Sequence, residues 1–105
     1  MNRQVRFIVE ACLWRDKING NTYHACRITR TDTGDQLHCP WQYGYGSQYR
    51  TTALDRLVKA EWLPRVYQGE HARYCYEREC GYPIYWIERF TTKREMVAFG
   101  KAPEA

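Results

Sequence analysis

The sequence has no long hydrophobic run and none of the common catalytic signatures. No stretch is long and apolar enough to span a bilayer, and charged side chains interrupt residues 1–20, where a secretory signal needs an apolar centre. Gly-x-Ser-x-Gly, Walker-loop and paired-carboxylate motifs do not occur, which argues against the familiar hydrolases and nucleotide-dependent enzymes. We therefore expect a cytoplasmic protein without a membrane segment, without a cofactor and without enzymatic activity.

The cysteine pattern indicates neither disulfides nor a zinc site. The chain has five cysteines, an odd number, and they do not form the closely spaced Cys-x-x-Cys pairs that are typical of structural zinc. The residues that could still meet on neighbouring strands are His24, Cys26, His38 and Cys39, with Cys75 and Cys80 as further candidates. We predict buried, reduced thiols and no bound metal.

The excess of positive charge is small, whereas aromatic residues are abundant. Sixteen Lys and Arg face twelve Asp and Glu, which gives a net charge of +4. This charge permits an acidic partner, including nucleic acid, but it excludes a strongly acidic mimic of DNA. Nine Tyr and four Trp supply rings with polar tips, which often remain at a surface that contacts a partner.

The length and the first alternating segment predict one domain that begins with a strand. A chain of 105 residues with a hydrophobic fraction of 44% can form a single core, so we assign residues 1–105 to one domain and expect residues 102–105 to fray. Apolar and polar side chains alternate over residues 4–14, which is typical of a half-buried strand. The predicted inner face of this strand is formed by Val5, Phe7, Val9, Ala11 and Leu13.

Two further strands are predicted to follow. Asn19-Gly20 is a strong signal for a tight turn, because both residues tolerate positive φ. The β-branched and aromatic composition of residues 22–31 predicts a returning strand, and residues 36–39 predict a short third one. Pro40 cannot donate to a sheet ladder, so it either ends the third strand or places it at an edge. This part of the chain therefore predicts a three-stranded antiparallel meander.

The hydrophobic period changes after a Tyr- and Gly-rich segment, residues 41–49, which we call the Tyr/Gly joint. From Gln48 to Trp62 apolar residues recur every three or four positions, which predicts an amphipathic helix facing the sheet. Ser47 is the candidate N-cap, because its hydroxyl can accept hydrogen bonds from free backbone N–H groups. Pro64 prevents the helix from continuing.

The second half of the chain predicts one more strand and one or two short helices. Residues 70–80 favour a helix over a strand, and residues 84–90 have the composition of a strand. Thr92 and Glu95 match a capping box, so we predict a short helix ending at Phe99, with a fifth strand over the same residues as the alternative. The fold class is therefore α+β: an antiparallel sheet, made of the N-terminal meander plus a later strand, packed on one main amphipathic helix and one or two shorter helices.

Several short motifs within residues 18–64 carry a family resemblance. They are Asn19-Gly20-Asn21-Thr22-Tyr23-His24, Tyr43-Gly44-Tyr45-Gly46, Lys59-Ala60 and Trp62-Leu63-Pro64, together with Tyr49, Thr52 and Ala53. In these residues the chain resembles a group of small, mostly uncharacterised proteins encoded by phages, prophages and plasmids. The resemblance implies an origin on a mobile element. Small phage proteins without catalytic motifs often act by binding to a host complex and blocking it, and inhibitors of CRISPR systems are one large class of them.

Three chemical roles compete with protein binding. Gly44 and Gly46 precede a helix N-terminus, which favours anions, but the Lys of a P-loop is missing and we favour a purely structural role. His38 and Cys39 are adjacent, yet neighbours on a strand point to opposite faces, so we do not expect a catalytic pair. Cations and rings also interleave, as in nucleic-acid binding, but Glu residues are mixed among them. The interleaved residues are Arg65, Tyr67, Arg73, Tyr74, Tyr76 and Arg78, followed by Tyr85, Trp86, Arg89 and Phe90.

The favoured hypothesis is a phage-type accessory protein that binds a host protein or ribonucleoprotein complex stoichiometrically and inhibits a defence complex such as a CRISPR effector. The alternative is a small nucleic-acid-binding protein, and an unrecognised enzyme is the third hypothesis. Tyr, Trp and Arg dominate the energetics of protein interfaces. The predicted contact residues are Tyr43, Tyr45, Arg50, Arg56, Lys59 and Arg65. The sequence leaves the oligomeric state open.

Overall fold

The described part of the chain, residues 5–65 and 84–102 of a computed structural model, contains four strands and two helices. In chain order these elements are β1 (Phe7–Asp16), β2 (Asn21–Arg30), β3 (Gln36–Tyr43), α1 (Gln48–Lys59), β4 (Tyr85–Phe90) and α2 (Lys93–Phe99). The predicted α+β class is confirmed. The helix predicted over residues 70–80, with Cys75 and Cys80, lies outside the described residues, as do residues 103–105.

The four strands form one sheet with the order β3-β2-β1-β4. β1 pairs antiparallel with β2, and β2 pairs antiparallel with β3, so the predicted meander is confirmed. The later strand, β4, lies on the other side of β1 and runs parallel to it, which makes the sheet mixed. β3 and β4 thus run in the same direction, and α1 lies on the connection between them, since strands of one direction need a crossover.

A carboxylate supports the turn between β1 and β2. The backbone N–H of Gly20 donates to the Asp16 carbonyl at 2.7 Å, and Gly20 has a φ of 72°, which glycine adopts without strain. The Asp16 carboxylate accepts from the backbone N–H groups of Ile18 and Asn19 at 3.0 and 3.3 Å. The predicted Asn-Gly turn is therefore confirmed, with Asp16 as its additional support.

Pro40 lies in an irregular part of the edge strand β3. His24 pairs with Gln42 whereas Cys26 pairs with Cys39, so β3 uses one residue more than β2 over this interval. A bulge of this kind accommodates proline, which has no N–H to donate to the ladder. The strand therefore continues past its predicted end at Cys39, and the prediction that proline places it at an edge is confirmed.

The two helices cover different faces of the sheet. α1 packs on the first face, where the alternating residues of β1 meet the predicted apolar stripe of the helix. The buried residues of this core include Phe7, Val9, Leu13, Ile28, Tyr49, Ala53, Leu54 and Leu57. On the second face α2 covers a smaller cluster, in which Met96 packs with Cys12 and Ala25. Burial of a large apolar side chain contributes about 1.5–3 kcal/mol, so the first face supplies most of the stability.

The main helix begins without the predicted side-chain cap. Ser47 occupies the N-cap position, but its hydroxyl makes no capping hydrogen bond, so the predicted role of this side chain is wrong. Gln48 acts nearby instead, because its Oε1 atom accepts from the backbone N–H of Tyr45 at 3.1 Å. The Gln48 side chain therefore holds the loop before the helix, whereas Ser47 was expected to accept from the free N–H groups of the helix itself.

A Schellman motif ends α1. The N–H of Trp62 donates to the Leu57 carbonyl at 2.9 Å, and the N–H of Glu61 donates to the Val58 carbonyl at 3.0 Å. This pattern requires one residue in the left-handed conformation, and Glu61 has a φ of 64°. The helix therefore ends at Lys59, earlier than the apolar pattern predicts.

The second helix contains half of the predicted capping box. Thr92 Oγ1 accepts from the backbone N–H of Glu95 at 3.2 Å, while the Glu95 carboxylate accepts from the Thr91 hydroxyl. The predicted helix is confirmed, and the alternative of a fifth strand there is wrong. The helix is followed by Gly100, where an added Cβ would stand 2.6 Å from the Cys39 carbonyl oxygen. The end of α2 therefore packs directly on the sheet backbone.

Candidate functional site

Three of the six predicted contact residues line one pocket. It lies between the end of β3 and the outer surface of α1 and has a volume of about 460 Å³. Tyr43 comes from β3, and Arg56 and Lys59 come from the last turns of α1. Tyr43 is 57% exposed, so its ring is accessible to a partner. The fold thus brings Tyr43 and two cations together in the lining of what we call the β3–α1 pocket.

The other three predicted residues lie outside this pocket. Arg65 lines a neighbouring depression that it shares with Lys59. Tyr45 is 62% exposed in the loop before α1. Arg50 is engaged with the protein itself, because its guanidinium carbon lies 5.0 Å from the ring centroid of Trp86. The structure therefore groups Tyr43 with Arg56 and Lys59, and it places Arg50 between α1 and β4.

A buried histidine forms the inner wall of the pocket. His24 is 1% exposed; its Nδ1 donates to the Gly44 carbonyl at 3.0 Å, and its Nε2 accepts from the Thr52 hydroxyl at 2.8 Å. A carbonyl can only accept, so the proton of the neutral ring resides on Nδ1. The Gln42 amide donates to the same Thr52 hydroxyl. Burial lowers the pKa of His24, which keeps the ring neutral.

The glycines of the Tyr/Gly joint are explained by this packing. An added Cβ at Gly44 would stand 2.6 Å from His24 Cε1, so only glycine fits there without a shift. Gly46 has a φ of 61°, which a side chain disfavours. The backbone N–H groups of Gln48 and Arg50 donate to carbonyls of the joint at 3.2 and 2.9 Å, so they are not directed at an anion. These contacts agree with the structural role that we favoured for the glycines.

The pocket carries charges of both signs. Arg56 and Lys59 supply two positive charges, and Asp55 is the acidic residue among the described side chains that line it. The Asp55 Oδ1 atom is buried and has no hydrogen-bond partner within the described residues. A buried acceptor without a donor costs about 1–3 kcal/mol.

Two thiols meet across the strands beside the pocket. Cys26 and Cys39 are Cα partners in the register of β2 and β3, and both are buried free thiols, as predicted. A hydrogen bond from Cys26 and the charge of Arg56 lower the pKa of Cys39, whereas the same bond and burial raise the pKa of Cys26. His38 pairs with a residue of the second face and so points away from the Cys39 thiol, as strand alternation predicts.

Of the residues considered as metal ligands, Cys26 and Cys39 meet, but among the described residues no third ligand joins them. Within residues 5–65 and 84–102, no group of three His, Cys, Asp or Glu side chains is placed to hold a metal ion. His24 uses both ring nitrogens for Gly44 and Thr52, and His38 lies on the other face of the sheet.

An aromatic cluster that the sequence patterns did not indicate lies on the second face of the sheet. Trp14 and Tyr23 are stacked, with ring centroids 5.6 Å apart. Trp41 and Tyr43 meet Tyr23 at steep angles, with centroid distances of 5.6 and 5.8 Å. We call these four rings the aromatic cluster. The alternation of β1 does place Trp14 on the second face and so hints at a ring there. Which rings it meets depends on strand register, which the sequence pattern does not give.

The cations and rings of β4 do not form one surface. Tyr85 and Phe90 are 57% and 68% exposed. Trp86 packs against the core of the first face, whereas the Arg89 guanidinium lies over a ring of α2 on the second face. Successive residues of a strand point to opposite faces, so the interleaving of cations and rings in the sequence does not bring them together. The other interleaved stretch, residues 67–78, lies outside the described residues.

No family model, no curated protein and no solved structure matches this chain. Within the part of the chain that the structure describes, neither helix has the length and apolar character needed to cross a bilayer. The β3–α1 pocket and the aromatic cluster are therefore the two features from which a function is inferred.

Proposed function

We propose that this chain is a phage-type accessory protein that binds a host protein or ribonucleoprotein complex in the cytoplasm with fixed stoichiometry and inhibits it, a CRISPR effector being the preferred target. The observation that carries the proposal is the β3–α1 pocket. Tyr43, which is 57% exposed, lines this pocket together with the cations Arg56 and Lys59. Tyr and Arg are among the residues that contribute most to the binding energy of protein interfaces.

Rigidity supports a binding role for this pocket. His24 connects β2, the Tyr/Gly joint and α1 through hydrogen bonds to Gly44 and Thr52. A surface that is already held in its binding shape loses little conformational entropy when a partner associates. The network is buried and its imidazole is neutral, so the partner meets a surface that is formed in advance.

The charges of the pocket favour an acidic or RNA-bearing surface on the target. The Arg56 guanidinium can bond two oxygens of one carboxylate or phosphate, and the exposed Lys59 adds a second cation. With a net charge of +4 the protein does not imitate DNA, so inhibition would come from occupying a surface of the complex.

The test is inhibition of target cleavage by purified CRISPR effectors of several types. Unmodified protein should abolish cleavage by one of them at a constant molar ratio, whatever the effector concentration. The double variant Arg56→Ala/Lys59→Ala should lose most of this inhibition while it keeps its thermal midpoint. The matched control Arg15→Ala/Lys17→Ala removes the same charge from exposed positions away from the pocket and should inhibit normally.

Three results contradict the proposal. Inactivation of many complexes by one protein molecule would indicate an enzyme. Equal loss of inhibition in both double variants would remove the pocket from the mechanism. An absence of inhibition across the effector types, together with normal phage restriction in cells that express the protein, would refute the preferred target.

A further inference from the structure

The two outer rings of the aromatic cluster are accessible on a rigid base. Trp41 and Tyr43 are 45% and 57% exposed. Their planes stand at 69° and 78° to the ring of Tyr23, so among the described residues neither is stacked on a parallel ring. Beneath them Tyr23 is stacked on Trp14 and both are half-buried. Exposed rings on a fixed base are suited to stacking with a flat partner.

Positive charges on α2 lie next to the base of the aromatic cluster. The Lys93 ammonium nitrogen lies 5.5 Å from the ring centroid of Trp14. An open groove on the outer side of the helix has no acidic residue among the described side chains that line it. The lining residues are Lys93, Arg94, Val97, Ala98 and Lys101. Val97 also packs on the same buried cluster as Trp14, so the helix joins the groove to the aromatic cluster.

Two acidic side chains on this side of the protein are engaged locally. The Asp16 carboxylate accepts from the backbone N–H groups of the turn after β1, and hydrogen bonds from Asn19 together with the charge of Lys93 lower its pKa. The Glu95 carboxylate accepts from the Thr91 hydroxyl. The three cations of the groove therefore outnumber the acidic groups beside them.

We infer that the aromatic cluster and the cations of α2 bind single-stranded nucleic acid. Bases stack on Trp41 and Tyr43, and phosphates lie along Lys93, Arg94 and Lys101. A duplex keeps its bases stacked on each other and does not offer them to these rings. An acidic peptide would use the cations but would leave the rings uncovered. This activity shares Tyr43 with the lining of the β3–α1 pocket but uses neither Arg56 nor Lys59, and it does not depend on the proposed inhibition.

The experiment is fluorescence anisotropy of the full chain with a labelled single-stranded RNA of mixed sequence, about 10 nucleotides long. Binding should weaken linearly on a logarithmic scale as salt increases. Trp41→Ala should lower the affinity about 5- to 100-fold, and Trp41→Phe, which keeps a ring, should retain most of it. Lys93→Ala/Arg94→Ala should weaken binding and reduce the salt slope by about one to two.

Matched variants distinguish binding at this site from non-specific electrostatic attraction of the RNA to the protein. Arg56→Ala/Lys59→Ala removes the same charge from the pocket and should bind the RNA within about twofold of the unmodified protein. Tyr85→Ala removes an exposed ring from β4 and should have no effect. Unlabelled single-stranded DNA of the same sequence should compete, whereas the duplex and a polyglutamate peptide should compete poorly. Thermal unfolding verifies that each variant is folded.

Several results overturn the inference. Failure to bind either single-stranded RNA or single-stranded DNA at low salt does so directly. Equal competition by polyglutamate, or equal weakening in the two double variants, means that net charge alone attracts the probe. Unchanged affinity in a folded Trp41→Ala variant removes the aromatic cluster from the binding site.

Discussion

Acid should destabilise this protein through His24, and replacing this residue by asparagine should remove that part of the acid sensitivity. The imidazole is 1% exposed, and burial lowers its pKa even though the bond to the Gly44 carbonyl opposes the shift. In the unfolded chain the pKa of the imidazole is about 6.5. Below that pH the unfolded state binds a proton that the folded state does not. The contribution of His24 to the free energy of unfolding therefore falls by about 1.4 kcal/mol per pH unit until the pH reaches the folded-state pKa, and this contribution is constant above about pH 6.5.

The assay is urea unfolding between about pH 7.5 and about pH 5, with the difference between the unmodified protein and His24→Asn as the readout. Asparagine can keep a donor for the Gly44 carbonyl but cannot titrate, and it leaves the Thr52 hydroxyl only the longer bond to the Gln48 carbonyl at 3.4 Å. The variant should therefore be about 1–3 kcal/mol less stable at neutral pH, and this difference should shrink as the pH falls. Other acid-sensitive groups are common to both proteins and cancel in the difference.

His38→Asn is the matched control. Burial and the charges of Arg27 and Arg56 also lower the pKa of His38, but this side chain is half-exposed on the opposite face, so its slope should be smaller. Parallel stability curves for the unmodified protein and His24→Asn would refute the reasoning. They would show that His24 is not held neutral, and that the network behind the β3–α1 pocket does not have the proton arrangement derived from its hydrogen bonds.

Two backbone substitutions give further tests. Glu61→Gly should raise the free energy of unfolding by about 0.5–1 kcal/mol, because glycine adopts the left-handed conformation at the end of α1 without strain; an unchanged or lower thermal midpoint would contradict this. Gly44→Ala should lower it by about 1–3 kcal/mol, because the added Cβ would stand 2.6 Å from His24 Cε1. Gly46→Ala should be destabilised by backbone strain alone, since its φ is 61° and its added Cβ meets no atom within 4 Å; unchanged urea unfolding of Gly44→Ala would exclude the clash at that position.

Local patterns in the sequence predicted most of the elements. The alternation identified the inner face of β1, and its predicted residues from Phe7 to Leu13 are buried, whereas the predicted Val5 precedes the strand and is half-buried. The Asn-Gly turn, the apolar stripe of α1 and the Thr92 cap were also found where they were predicted. These features depend on the hydrophobic periodicity of the sequence and on the backbone preferences of single residues. Both act over only a few positions of the chain. The end of α1 was missed because Glu61 is an unusual residue for a left-handed position.

The candidate sites were predictable only in part. Arg56 and Lys59 lie off the apolar stripe, so their position on the surface of α1 followed from the sequence. Their grouping with Tyr43 did not, because it depends on how α1 packs beside β3. Arg50 was predicted as a contact residue, and its position against Trp86 arises from the packing of α1 on β4.

The sequence by itself therefore determined the strands, the turns, the helical stripe and the fold class. Tertiary structure alone decided the parallel placement of β4 beside β1, the contact between Cys26 and Cys39, and the assembly of the aromatic cluster from three strands. It also decided that His24 would bond Thr52, 28 residues away in the chain. The physical reason is that strand register and helix packing minimise the free energy of the whole core, and no local period encodes which distant side chains then meet.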